Sequence, residues 1–280
     1  MKEEGFLADT VYIGGGTPTV LDLKELDNLC RTIRENIPLV QQPEYTVEAG
    51  RPDTVDPAKL KLLKSHGVNR LSINPQTMQD ATLKRIGRNH SAADIIRSYE
   101  LAREIGSWII NMDLIIGLPG EGFPEIEESL AKVLALAPEN LTIHALALKK
   151  GSTAFNDNHF HGSPKGWRDI QAYADRTIRS SGYLPYYLYR QKHTAGNLEN
   201  IGYSLAGYEC RYNMAIIEEL QTVIGVGACS STKIVNPADH SHKNIYNPAD
   251  IKTYVNRFRS IHEQKLSEIQ KIVASGKKNE

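Results

Sequence analysis

The stretch Val11–Thr19 reads VYIGGGTPT, a short β-branched run that stops abruptly in glycines, threonine and proline. Such an apolar run predicts a buried β-strand, and the glycines predict a tight turn at its carboxyl end. Because glycine has no side chain, the backbone N–H groups of Gly14–Gly16 can approach a ligand closely and form a nest for a carboxylate, a phosphate or an amino-acid-like group. The alternative is a strand-to-helix turn that only requires positive φ.

Strand-like and helix-like segments alternate after this turn, in units of roughly thirty residues, the size of a right-handed βαβ crossover. The predicted strands are 10–13, 45–47, 69–73, 108–116 and 140–146, and the predicted helices are 22–37, 57–65, 80–86, 92–105 and 124–136. This rhythm predicts an α/β fold with a parallel sheet, a partial (β/α) TIM-like barrel with its helices outside.

The rhythm breaks after residue 150. A polar segment at 155–166 predicts a surface loop, 167–180 a helix, 182–190 a tyrosine-rich strand and 249–274 an amphipathic helix. We therefore expect two parts: a partial barrel at 1–154, and a smaller α+β subdomain at 155–280 that serves the substrate side or an accessory role.

The composition of the chain argues against several classes of protein function. Lys+Arg and Asp+Glu both count 33 in 280 residues, which argues against a general nucleic-acid or membrane-surface binder. The sequence shows neither an apolar run that would span a bilayer nor a signal-peptide pattern, so we expect a cytoplasmic protein. The cysteines, Cys30, Cys210 and Cys229, are too far apart for a disulfide framework or a local metal-ligand cluster, and we predict no metal ligands.

Polar residues end several predicted strands: Glu48, Gln76 and Asp113. In parallel α/β sheets the carboxyl ends of the strands meet at one edge, where ligands bind. An unpaired buried carboxylate costs several kcal/mol, so Asp113 should be hydrogen-bonded or face a cavity. Each residue also has a purely structural interpretation. Asp113 could cap the neighbouring loop, Glu48 could be a hydrogen-bonded carboxylate at a strand end, and Gln76 could close a turn. Together with the glycine turn they suit a zwitterionic, ribose-bearing ligand better than a bare phosphate, because Lys and Arg are sparse there.

The order of these motifs resembles the radical S-adenosylmethionine (SAM) superfamily and, more narrowly, the oxygen-independent coproporphyrinogen III oxidases (coproporphyrinogen dehydrogenases) and their HemZ-like relatives. The segments that carry the resemblance are 12–19, 46–50, 67–76, 86–88, 111–120, 187–192, 196–200 and 224–228. These segments are distributed along the chain, so that the resemblance extends over nearly its whole length.

The resemblance implies a SAM site at the barrel mouth, in which the glycine turn meets the amino group of SAM. Glu48 and Arg88 would hold the methionine and ribose end, Gln76 and Asp113 the ribose hydroxyls, and Ala145 the adenine or a second ligand. The implied cofactor contacts are Gly14, Gly15, Gly16, Thr17, Glu48, Gln76, Arg88, Asp113 and Ala145.

The activity implied is that of a radical SAM oxidoreductase of anaerobic haem biosynthesis. In the family, a [4Fe–4S] cluster and an external electron donor cleave SAM, and propionates of coproporphyrinogen III become the vinyl groups of protoporphyrinogen IX. A non-catalytic SAM-, tetrapyrrole- or haem-binding protein of the same family is the alternative. An unrelated phosphate-binding barrel enzyme is a third, less favoured because no lysine lies near the glycine turn.

The sequence departs from the family in one respect: it contains no Cys-x-x-x-Cys-x-x-Cys motif for the cluster. We therefore expect the carboxyl-terminal portion of such a protein, without its first βα unit, inactive alone and dependent on a segment supplied in trans. Arg190 and Lys192 follow the tyrosine-rich strand, where they could meet the propionates of a tetrapyrrole substrate. A solvated basic turn is the alternative interpretation of that pair.

Overall fold

The computed structural model describes residues 6–147, 164–192, 194–236 and 239–276. The strands are β1 (Ala8–Ile13), β2 (Leu39–Glu48), β3 (Arg70–Ser72), β4 (Ile109–Ile116), β5 (Asn140–Ala145), β6 (Leu184–Tyr189), β7 (Asn200–Ser204), β8 (Ser231–Val235) and β9 (His242–Tyr246). The helices are α1 (Leu23–Asn36), α2 (Pro57–Ser65), α3 (Asp80–Arg85), α4 (Ala92–Ile105), α5 (Phe123–Leu136), α6 (Pro164–Ser180), α7 (Arg211–Glu218) and α8 (Ile251–Gly276).

Seven strands form one curled sheet, a half-barrel with the strand order β1-β2-β3-β4-β5-β7-β6. The pairings from β1 to β5 are all parallel, whereas β7 is antiparallel to both β5 and β6. β6 therefore runs in the same direction as β1–β5, and its carboxyl end lies at the same edge of the sheet. This confirms the predicted partial TIM-like barrel, although the sequence pattern did not indicate β7.

The two faces of the sheet differ in chemistry because side chains alternate along each strand. In β4, for example, Ile110, Met112, Leu114 and Ile116 are buried in the apolar core, while Asn111 and Asp113 point to the other face. The helices that follow the strands cover the apolar face. Capping boxes begin two of these helices, at Asp22 for α1 and at Ser91 for α4, which explains why their predicted starts are close to the observed ones.

A buried polar network closes the amino-terminal end of the half-barrel on its polar face. Arg70 and Glu44 form an ion pair at 3.5 Å, each with 5% of its side chain exposed. The Arg70 guanidinium also donates to the Asn140 side chain and to the main-chain oxygen of Tyr208 at 3.0 Å. The Cys210 thiol lies 3.3 Å from a carboxylate oxygen of Glu44. These contacts fill the floor of the half-barrel with hydrogen-bonded groups.

The chain divides into two compact units. Residues 7–210 carry the half-barrel, and residues 211–280, grouped with residues 1–6, carry α7, the antiparallel β8–β9 hairpin and α8. The predicted boundary at residue 155 lies outside the described residues, as do residues 155–163 of the loop predicted at 155–166, whereas residues 164–166 belong to α6. In the part of the chain that the structure describes, every helix is too short or too polar to cross a membrane.

Candidate functional site

The glycine turn after β1 packs against the end of β2. Tyr12 donates its hydroxyl to Oε1 of Glu48 at 2.7 Å, and the Gly15 N–H donates to the same carboxylate. A Cβ on Gly14 would lie 2.5 Å from Glu48 Oε1 and 2.6 Å from Cε1 of Tyr12. Glycine is therefore required at position 14 for Glu48 to reach the turn.

Space remains open on the other side of this turn. Gly15 has a φ of +86°, and a Cβ built on Gly15 or Gly16 would meet no atom within 4 Å. Thr17 follows and precedes the short 3-10 turn Pro18–Val20. Gly14, Gly15 and Gly16 are exposed. The turn thus offers backbone N–H groups to an open volume beside a carboxylate, a suitable place for an amino-acid-like group.

The Glu48 carboxyl is partly withdrawn from water. Burial raises its pKa, the hydrogen bond from Tyr12 opposes this, and the negative charge of Asp113 raises the pKa further, so that the net shift is upward. The interaction between Glu48 and Asp113 shows that the ends of β2 and β4 direct both carboxylates to one region.

Gln76 is held beside Asp113 by its backbone. Its N–H donates to the main-chain oxygen of Asp113 at 2.9 Å, and its own oxygen accepts from the N–H of Ile115 at 2.8 Å. Gln76 has a φ of +67°, an uncommon conformation for a residue other than glycine. Next to it, Thr77 donates to Glu121 at 2.6 Å, which anchors the loop. These contacts fix the backbone position from which the Gln76 side chain projects.

A row of hydrogen bonds crosses the polar face below these residues. Asn111 donates to Oδ1 of Asp113 at 2.7 Å and to the Ser72 hydroxyl at 3.1 Å. Thr142 donates to the Asn111 side chain at 3.2 Å, and its hydroxyl lies 3.2 Å from that of Tyr187. The Tyr187 ring lies across Gly202, where a Cβ would come within 1.9 Å of the ring. This row orients Asp113 toward the mouth of the half-barrel.

Two residues of this mouth, His144 and Asn200, are not among the predicted site residues. Nε2 of His144 lies 3.6 Å from Oδ2 of Asp113, and Nδ1 lies 3.2 Å from Oδ1 of Asn200. Burial alone would lower the pKa of His144, but the hydrogen bond and the charge of Asp113 outweigh it and raise the pKa. The alternation of Asn140, Thr142 and His144 along β5 is the one sequence signal that could have placed His144 on this face.

Two of the predicted contacts stand apart from this cluster. The Ala145 side chain is buried in the apolar core, and only its N–H faces Asn200, at 2.9 Å from Oδ1. Arg88 lies in the turn after α3, where its N–H donates to the Leu83 oxygen at 2.9 Å. No contact in the described ranges joins the Arg88 guanidinium to Glu48 or Asp113, and ligand contact by Arg88 and Ala145 stays a prediction.

The basic pair after β6 lines a separate depression. Arg190 donates to Glu199 at 2.7 Å, and both of these residues, with Lys192, border an open cavity of about 770 Å³. Arg168 and Gln171 of α6 complete the polar part of its lining. Because β6 is parallel to β1–β5, this cavity lies at the carboxyl edge of the sheet. Its basic lining suits a carboxylate-bearing ligand.

The residues described here do not fit an iron–sulfur cluster, which requires several thiolates converging on one site. Cys30 is buried in α1, Cys210 is bonded to Glu44 on the floor of the half-barrel, and Cys229 is exposed in the other compact unit. Among the residues with described positions, no three His, Cys, Asp or Glu side chains form a group that could hold a metal ion. The carboxylates, amides and free backbone N–H groups of the mouth do fit a ligand with an amino group and hydroxyls, such as SAM.

Comparison with known proteins finds similarity to one superfamily. Residues 1–133 match the family model described as the Radical SAM superfamily. The chain is 41% identical over 276 residues to the oxygen-independent coproporphyrinogen-III oxidase-like protein HemZ of Bacillus subtilis, covering 97% of this chain and 55% of HemZ. It is 40% identical over 148 residues to the heme chaperone HemW of Bacillus subtilis, covering 52% of this chain and 39% of HemW.

A solved structure shares the fold. The coproporphyrinogen III oxidase HemN of Escherichia coli, described as a radical SAM enzyme, superimposes with a TM-score of 0.73 at 22% identity, covering 91% of this chain and 58% of HemN. The chain thus spans about half the length of the curated relatives it matches.

Proposed function

This chain belongs to the radical SAM superfamily, in the group of coproporphyrinogen oxidase-like proteins, and we propose that the mouth of its half-barrel binds SAM. One observation carries the proposal: Glu48, held by Tyr12 and by the Gly15 N–H, faces the open volume beside Gly15 and Gly16. Both of these partners are neutral donors, so the carboxylate keeps its negative charge available for the amino group of a ligand.

The remaining residues of the mouth then have distinct tasks. Asp113, oriented by Asn111, accepts from ribose hydroxyls, and the side-chain amide of Gln76 can donate or accept beside it. Thr17 and the N–H groups of the glycine turn bind the amino-acid end. Arg88 and Ala145 belong to this proposal as outer contacts of the methionine carboxylate and the adenine.

We propose a haem-related role for the protein to which this chain belongs, the oxidative decarboxylation of coproporphyrinogen III propionates to vinyl groups. The similarity to HemZ supports it, as do the cations Arg190, Lys192 and Arg168 at the carboxyl edge of the sheet, which can bind propionates. In the family, SAM supplies a 5′-deoxyadenosyl radical when a reduced iron–sulfur cluster is bound. The residues of this chain do not fit that cluster, and we assign to them the binding and orientation of SAM and of the tetrapyrrole.

A specific observation favours a second candidate, a SAM- or haem-binding protein without decarboxylase activity. A stretch of 148 residues of the chain is 40% identical to a heme chaperone, and the sequence has no Cys-x-x-x-Cys-x-x-Cys motif. Both candidates share the SAM site and differ in what happens to the tetrapyrrole.

Isothermal titration calorimetry with SAM tests the shared site. We expect binding to the wild type, at least tenfold weaker binding to Glu48→Gln, and no change in Asp27→Asn, a carboxylate that pairs with His66 at 2.7 Å away from the mouth. A wild type that does not bind SAM would refute the shared site and exclude the oxidase, and it would leave haem binding alone for the second candidate.

An anoxic assay then separates the two candidates. The chain is incubated with SAM, a reductant, coproporphyrinogen III and a cluster-bearing segment of a HemZ-type protein. Release of carbon dioxide with formation of protoporphyrinogen IX would support the oxidase. No turnover in this assay, together with binding of haem in a parallel titration, would support the chaperone.

A further inference from the structure

His144 is held at both of its ring nitrogens on the polar face of the half-barrel. Nδ1 lies 3.2 Å from Oδ1 of Asn200 in β7, and Nε2 lies 3.6 Å from Oδ2 of Asp113 in β4. The ring therefore joins the parallel part of the sheet to its antiparallel extension.

The partners of the two nitrogens determine where the protons lie. Oδ1 of Asn200 also accepts the main-chain N–H of Ala145 at 2.9 Å, and a backbone N–H can only donate, so this atom is the amide oxygen. Nδ1 of His144 faces that oxygen and must therefore carry hydrogen. Nε2 faces a carboxylate, which accepts only, so hydrogen is favoured there as well. The contact with Asn200 thus fixes a hydrogen on Nδ1, and the negative charge of Asp113, 3.6 Å from Nε2, favours the doubly protonated imidazolium.

The groups around this ring are otherwise acidic or neutral. Glu48 of β2 and the phenols of Tyr12, Tyr187 and Tyr189 interact electrostatically with Asp113, and Asn111 donates to its other oxygen. Within the described ranges, the cation paired with Asp113 is His144. The imidazolium thus offsets two neighbouring carboxylates at the mouth.

We infer that His144 is a positioning residue, whose imidazolium holds the Asp113 carboxylate in the orientation that a hydroxyl-bearing ligand requires. When the proton leaves Nε2, a lone pair faces Oδ2 and repels it, so Asp113 keeps only the restraint that Asn111 places on Oδ1. Ligand affinity at the mouth should therefore fall as the pH rises through the titration of His144. For SAM as the ligand, this inference rests on the proposed function.

Nitrogen-15 NMR of histidine side chains in the ligand-free chain tests the charge state. His144→Gln identifies the His144 signals by their loss. We expect both ring nitrogens of His144 to be protonated at about pH 6.5, the ordinary pKa of histidine, and Asp113→Asn to shift the titration toward lower pH. Asp27→Asn, which alters the His66–Asp27 pair, should leave the His144 signals unchanged. A neutral His144 at about pH 6.5, or a titration unaffected by Asp113→Asn, would overturn the inference.

Calorimetry with SAM across about pH 6 to 9 tests the positioning role. We expect the affinity of the wild type to fall on the order of tenfold along the titration of His144, and His144→Gln to bind more weakly and without that pH dependence. Equal pH profiles in the two proteins would remove the role. Failure of SAM to bind at any pH would refute the proposed function, while the NMR experiment would still decide the charge state of His144.

Discussion

Substituting Gly14 by alanine tests the arrangement of the glycine turn directly. The new Cβ would lie 2.5 Å from Oε1 of Glu48 and 2.6 Å from Cε1 of Tyr12, closer than non-bonded atoms approach. Since Oε1 is the far end of a flexible side chain, Glu48 would turn away while the backbone stays in place. The variant should fold, and it should lose the Tyr12–Glu48 hydrogen bond of 2.7 Å.

The expected loss of affinity follows from the displacement of Glu48, which removes its contact with the amino group of SAM. A hydrogen bond to a charged group is worth about 1.5–3 kcal/mol, and each 1.4 kcal/mol corresponds to a tenfold change in affinity, so SAM should bind roughly 10- to 150-fold more weakly. The melting temperature should fall only by the cost of the lost Tyr12–Glu48 bond, because Gly14 is exposed and its φ is not positive. Calorimetry with SAM and a thermal melt measure the two effects separately.

Gly16→Ala is the matched control. A Cβ at position 16 meets nothing within 4 Å, and its φ is not in the left-handed region, so stability and the position of Glu48 should be retained. Unchanged affinity in Gly14→Ala would refute the role of the Glu48 approach. An equal loss of affinity in Gly16→Ala would show that any side chain in the turn blocks the ligand.

Three further substitutions probe the half-barrel itself. Arg70→Leu removes the cation that pairs with the buried Glu44 carboxylate and should lower the free energy of unfolding by about 3–5 kcal/mol in urea titrations; a loss below 1 kcal/mol would mean that the pair is dispensable. Gly202→Ala places a Cβ 1.9 Å from the Tyr187 ring and should cost about 1–3 kcal/mol, visible as a lower melting temperature, which an unchanged melt would contradict. Burial raises the pKa of the Glu121 carboxyl, so its stabilising contribution is complete below the unfolded pKa and is lost as the pH rises through the folded pKa. Glu121→Gln should therefore lose less stability than the wild type between about pH 5 and 8, and parallel pH curves would show that Glu121 ionises freely.

The parallel part of the fold could be predicted because its signals are local. Helix α2 (57–65) and helix α4 (92–105) lie at their predicted bounds, since Asp56 and Ser91 provide N-caps that a sequence displays directly. Strand β2 is longer than predicted, 39–48 instead of 45–47, because its first residues include Leu39, which pairs with Ala8 of β1. The polarity of 41–44 hides this pairing from a search for apolar runs.

The site residues that lie at the carboxyl edge of the parallel strands could be predicted from the sequence. Those that meet through pairing of strands far apart in the sequence could not. Glu48 ends β2 and the turn at Gly15 follows β1, while Asp113 lies inside β4, on its polar face. Parallel strands end at one edge by geometry, so these groups could be placed together from the sequence. His144 and Asn200 meet because β7 returns antiparallel to β5, a pairing that no local pattern signals. The same alternation of polar and apolar residues along β5 does place the Ala145 side chain on the face opposite His144, in the apolar core.

The buried floor of the half-barrel would determine the order in which two ligands bind. It is formed by Arg70, Glu44 and Asn140. Because the amino-terminal end of the half-barrel is closed, ligands enter and leave at the carboxyl edge of the sheet. The ligand that lies deepest must therefore bind first and dissociate last. A nucleoside seated on Glu48 and Asp113 would precede a macrocycle that settles above it, and the macrocycle would be released before the nucleoside. Steady-state inhibition patterns would accordingly show compulsory order rather than random addition.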